Sequence, residues 1–118
     1  MLASMYVDPG KERIAWNQAL TSDMIFTQPV MYEFEHIRVK TLLLIGDVDR
    51  TAPGSNRAPK EVAARLGNYP ELARRAVRMI PDARLIEFPE LGHAPQIEAP
   101  EVFHKALLGA LAEGRSQN

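Results

Sequence analysis

The segment Thr41-Leu42-Leu43-Leu44-Ile45-Gly46 constrains this chain more than any other. Consecutive apolar residues leave a strand no polar face, so both faces need cover, as in a parallel sheet flanked by helices. The closing glycine marks the exit into a loop, which turn formers such as Pro53, Gly54, Asn56 and Pro59 extend over 47–59. A helical stretch is expected over 60–66, followed by an interruption at Gly67-Asn68-Tyr69-Pro70. Pro70 suits the first position of a helix over about 70–80, with Leu72, Ala76, Met79 and Ile80 on one face. Arg84-Leu85-Ile86-Glu87-Phe88 reads as a second, half-buried strand nearer a sheet edge. A loop over 90–95 leads to a last helix from Pro100 to about 113, with Val102, Phe103, Ala106, Leu107, Ala110 and Leu111 as its buried stripe. The order strand, loop, helix, strand, loop, helix places the chain in the α/β class, with one parallel crossover and a closing helix.

Residues 1–36 are less patterned. Asp8-Pro9-Gly10 is a turn signal, Ile14, Ala15, Ala19 and Leu20 fit a short helix over 11–21, and Thr27-Gln28-Pro29 breaks it. Val30 to Ile37 reads as a short helix or an extended entry segment. Trp16, Tyr69, Met5, Met24 and Met31 are expected as packing residues, and Arg74, Arg75 and Arg78 as a solvated face.

Composition narrows function by exclusion. The 118 residues carry 14 basic and 15 acidic side chains, a formal net charge of −1 that gives no electrostatic case for nucleic acid or an anionic membrane. Without cysteine there is no disulfide framework, thiolate zinc site or cysteine nucleophile. The longest apolar run is far too short for a membrane span, and no signal peptide is visible, so the expectation is cytoplasmic by default.

Asp49 and His93 each lie a few residues past the carboxyl end of a strand, the sheet edge where reacting groups converge in open parallel sheets. A carboxylate bonded to one imidazole nitrogen fixes the tautomer and stabilises the imidazolium formed when the other takes a proton. That pairing is the general-base half of a nucleophilic hydrolase.

The stretch from Lys40 to Pro53, an apolar strand followed by Gly46-x-x-Asp49 and then Pro53, resembles the acid-bearing strand and loop of the α/β-hydrolase superfamily. The stretch from Leu85 to Glu101, with Gly92-His93-x-x-x-x-Glu98-x-Pro100, resembles that family's final strand, histidine turn and closing helix. The resemblance covers residues 37–112 and implies Asp49 as triad acid and His93 as triad base, in the chain order of this fold. It implies a partial α/β-hydrolase fold: a cap or lid remnant or linker, mostly helical, over 1–36; the C-terminal part of the core over 37–114; and a polar tail over 115–118. It further implies hydrolysis of a small apolar ester or related substrate, without a cofactor. The family's Gly-x-Ser-x-Gly nucleophile elbow is missing: serines stand only at 4, 22, 55 and 116, none in that frame. The chain is therefore expected to be inactive alone, and to need a complementary N-terminal half.

Two other classes compete. Asp47-Val48-Asp49-Arg50-Thr51 resembles the first motif of haloacid-dehalogenase-type phosphotransferases, which would make the chain a magnesium-dependent phosphatase. Asp47, in the hydrolase reading, merely caps its turn. Alternatively, exposed sheet edges would make the chain a non-catalytic interaction module or homo-oligomer.

Overall fold

The computed structural model describes residues 9–115. The expectations for Met5, for the rest of residues 1–8 and for the polar tail beyond Arg115 lie outside the described residues. The described residues fall into two compact units, one up to Tyr32 and one from Glu33 onward.

The first unit is built on helix α1, Lys11–Thr27, six residues longer than its apolar spacing suggests. Thr21 and Thr27 are accommodated because each hydroxyl donates to a carbonyl one turn back, Asn17 at 2.9 Å and Asp23 at 2.7 Å. The helix stops where Pro29 follows, since the residue before a proline is disfavoured in helical conformation. Its apolar residues are spread around the axis, and none is buried. Trp16 and Met24, expected as packing residues, are exposed. A 3-10 segment, Val30–His36, follows, so the entry to the second unit is helical rather than extended.

The second unit contains strands β1, Thr41–Gly46, and β2, Ala83–Phe88. They pair in parallel from Thr41 opposite Ala83 to Gly46 opposite Phe88. Both strands therefore end at the same level, and the loops after them leave from one edge. Between them run the short helix α2, Lys60–Ala63, and helix α3, Tyr69–Met79, which packs across both strands. Pro70 sits in its first turn, as its missing N–H and fixed φ favour. The covered face of α3 is Ala73, Ala76, Val77 and Ile80, an i, i+3, i+4, i+7 stripe. Leu72, expected on that face, lies one residue off the stripe and is exposed.

The one-turn helix α4, Pro95–Glu98, leads into α5, Pro100–Arg115. The covered stripe of α5 is Phe103, Ala106, Leu107 and Ala110, and Phe103 meets the buried Phe88 with ring centroids 5.8 Å apart. Val102 and Leu111, expected in the stripe, face outward because the two strands offer less surface than the helix can cover. The same shortage shows in β1. Thr41 to Ile45 are only half-buried, and Gly46 alone is buried. A strand coded for cover on both faces is here only partly covered. Ion pairs tie the helices to β2: Arg74 to Glu87 at 2.7 Å and Arg84 to Glu113 at 2.6 Å. No helix among the described residues is long and apolar enough to cross a membrane.

Candidate active site

Asp49 and His93 meet. The His93 Nδ1 lies 2.9 Å from Asp49 Oδ2. Asp49 is buried, at 6% exposure, while the His93 side chain is 62% exposed. The carboxylate is thus shielded and the imidazole presented.

The backbone that brings them together is specific. Past the strand ends, the Asp47 N–H donates to Phe88 O at 3.0 Å and the Val48 N–H to Leu91 O at 3.1 Å. These bonds carry the sheet pairing into the loops. Gly46 permits it: a Cβ there would stand 2.2 Å from both Leu91 O and Gly92 O. Asp47 works from the other side, its Oδ1 accepting the Glu90 N–H at 2.7 Å. Glu90 adopts a left-handed conformation, with φ 62°, and this bond helps hold it there. Asp47 is therefore a turn-holding residue. Among the described residues no group of three or more His, Asp or Glu is placed to hold a metal ion.

Asp49 is oriented on both oxygens. Oδ1 accepts the Thr51 N–H at 2.8 Å, leaving Oδ2 for His93. Burial pushes the carboxyl up, but the Thr51 N–H, the His93 ring and the Thr51 hydroxyl outweigh it, and the group sits below its ordinary value of 3.8. Arg50 folds back to donate to the Asp49 carbonyl at 2.7 Å, closing the loop. Gly67, with φ 67°, packs where a Cβ would stand 2.4 Å from Arg50 O, so the turn before α3 leans on the Asp49 loop.

The histidine turn is held by Glu98. Its Oε2 accepts the Gly92 N–H at 2.8 Å and its Oε1 the Ala94 N–H at 3.1 Å. Gly92 leaves room: a Cβ there would come within 3.1 Å of Oε1. Pro100 then opens α5. The Gly-His-x4-Glu-x-Pro pattern is thus a physical unit: space, imidazole, clamp and helix start. Tyr69 sets its ring edge-on to His93, with centroids 6.0 Å apart. Tyr69, expected as a packing residue, thus touches the imidazole, and Glu98, a motif position without an expected role, clamps its turn; the Gly92–Glu98 spacing signals the second, and nothing in the spacing marks the first. Ser55 opens a short 3-10 turn after the left-handed Gly54 and serves the loop's geometry. His36 is exposed beside Glu35, and His104 lies edge-on to Phe103 on α5, away from the pair. A cleft of about 350 Å3 opens at the other end of the strands, among Lys40, Asp82, Arg84 and Glu113, apart from Asp49 and His93.

A carboxylate-oriented histidine thus stands at the carboxyl edge of the parallel pair in a mixed α/β unit. The chain is similar to the solved structure of a probable hydrolytic enzyme from Pseudomonas aeruginosa PAO1, with 60% sequence identity and a TM-score of 0.87. The match takes in 91% of this chain but 34% of that enzyme, so the chain spans about a third of the enzyme's length. No family model matches the chain, and no curated protein does.

Proposed function

We propose that this chain carries the acid and base of a Ser-Asp-His hydrolase, as the C-terminal part of an α/β-hydrolase whose serine lies on a segment outside this sequence. The observation that carries the reading is the 2.9 Å contact between His93 Nδ1 and the shielded Asp49 carboxylate. With Nδ1–H donated to Asp49, Nε2 is the acceptor on the presented side of the ring. It takes the proton as the serine oxygen attacks a substrate carbonyl, and returns it to the leaving alkoxide. In the second half Nε2 takes a proton from water, which attacks the acyl-enzyme, and gives it back to serine. Asp49 stays ionised throughout, and its lowered proton affinity suits it to face an imidazolium. The substrate class is a small apolar ester or a close relative, and no cofactor enters these steps.

The half-covered β1 and the outward-facing Val102, Leu108 and Leu111 support the same reading, because the remainder of a hydrolase sheet would cover such surfaces. The test is ester hydrolysis by complementation. The chain alone is expected to leave a nitrophenyl ester at the background rate. Mixed with the portion of the Pseudomonas enzyme outside the matched third, it is expected to restore turnover, and His93→Ala to abolish it. Turnover by the isolated chain that His93→Ala removes would overturn the proposal.

A further inference from the structure

We propose that Glu98 is a positioning residue for His93: by accepting the Gly92 and Ala94 N–H groups it fixes the backbone on both sides of the histidine and holds the imidazole against Asp49. This deepens the acid–base reading of His93 and rests on it. His93 needs such support because its side chain is mostly exposed, with one hydrogen-bond partner, Asp49, and one edge contact, Tyr69, among the described residues. An exposed imidazole held at its tip alone exchanges rotamers readily. Fixing residues 92 and 94 fixes the direction of the His93 Cα–Cβ bond, which reduces the freedom lost when the ring meets Asp49.

Glu98 is itself well anchored. Its backbone N–H donates to Ala94 O at 3.0 Å, while its side chain accepts the Ala94 N–H, so the two residues are bonded in both directions. The carboxylate has two acceptor oxygens and uses one for each N–H, a pairing a neutral amide side chain cannot copy: one end of a glutamine would set a donor against a donor. Gly92 belongs to the same device, because a methyl group at that position would crowd Oε1 at 3.1 Å. Its φ lies outside the glycine-favouring region, so Gly92→Ala perturbs the clamp and not the backbone preference.

The test reads the imidazole directly. In the full chain at mildly alkaline pH, the ring 15N shifts of His93 report which nitrogen carries the proton. Asp49→Ala, which leaves Nδ1 without its acceptor, sets the value for an uncoupled ring. In Glu98→Ala the ratio of the Nδ1–H form to the Nε2–H form is expected to fall about tenfold, as for loss of one hydrogen bond of ordinary net worth. Glu98→Gln and Gly92→Ala are expected to fall between that value and wild type. If Glu98→Ala fails to fold, the similarly sized Glu98→Gln and the single-methyl Gly92→Ala decide. Folded Glu98 variants with the wild-type ratio would overturn the proposal, even with a lowered urea midpoint, because Glu98 would then serve stability alone. A shifted ratio in an enzyme whose restored ester hydrolysis is indifferent to His93→Ala would sustain the clamp and sink the catalytic reading.

Discussion

Replacing Gly46 by alanine probes the joint on which the whole site depends. The new Cβ would stand 2.2 Å from two backbone oxygens, Leu91 and Gly92, where ordinary contact begins at 3.4 Å. The histidine turn must therefore give by 1.2 Å, the difference between those distances, and backbone atoms have no rotamer by which to escape. Overpacking of this kind costs about 1–3 kcal/mol, and the rigidity of the colliding atoms favours the upper end. The Val48 N–H bond to Leu91 O, 3.1 Å long, is broken by the same displacement, adding about 1 kcal/mol. A total of about 4 kcal/mol, with a urea slope of about 1.5 kcal/mol/M for a small chain, lowers the unfolding midpoint by about 2.7 M. Gly109→Ala is the internal control: a methyl group there meets nothing within 4 Å in α5, and it is expected to stabilise by about 0.5–1 kcal/mol. Urea unfolding followed by circular dichroism, with hydrogen exchange at the Val48 amide, measures both. Gly46→Ala within about 0.5 kcal/mol of wild type, with the Val48 amide still protected, would refute the argument that β1 and the histidine turn are in hard contact.

Asp49 gives a pH dependence with a defined sign. Its carboxyl sits below 3.8 in the folded chain and returns to about that value on unfolding, so the unfolded chain takes the proton first as pH falls. The stabilisation is therefore fully present above about pH 4 and is lost as pH falls through the folded value. The difference in urea midpoint between wild type and Asp49→Asn should shrink on acidification; a difference that widens contradicts the assignment. Phe88→Ala, removing a ring only 3% exposed and stacked near Phe103, is expected to lower the unfolding free energy by about 3 kcal/mol. Glu113→Ala, which breaks a 2.6 Å but exposed pair with Arg84, should lower it by less than about 1 kcal/mol in the same assay. If the exposed apolar surface is instead covered by a second copy of the chain, the midpoint will rise with protein concentration; a concentration-independent midpoint is the expected result.

Much of the second unit is legible in the sequence because its signals are local. The run ending at Gly46 bounds β1 to the residue, and Pro70 and Pro100 mark helix starts through a missing donor. The Asp49–His93 meeting follows from two strand ends at one level, which parallel pairing supplies. What stays hidden depends on surroundings. Periodicity places Val102 and Leu111 inward as though the sheet were wide, but two strands cannot cover them, and Leu72 lies one residue off the covered stripe of α3. The length of α1 was obscured because Met24, Ile25 and Phe26 follow no single face, and the side-chain bonds that accommodate Thr21 and Thr27 leave no periodic trace. Glu98 was visible as a motif letter while its work was not, since that requires the turn to bring two N–H groups onto one carboxylate.

The most direct test of the Asp49–His93 pair as half of a catalytic triad is ester hydrolysis by this chain mixed with the portion of the Pseudomonas enzyme that it does not match. Turnover is expected in the mixture, with none above background in either part, and is expected to be lost in His93→Ala and Asp49→Asn. A soluble, associated mixture without turnover, or turnover indifferent to His93→Ala, would contradict that role for the pair.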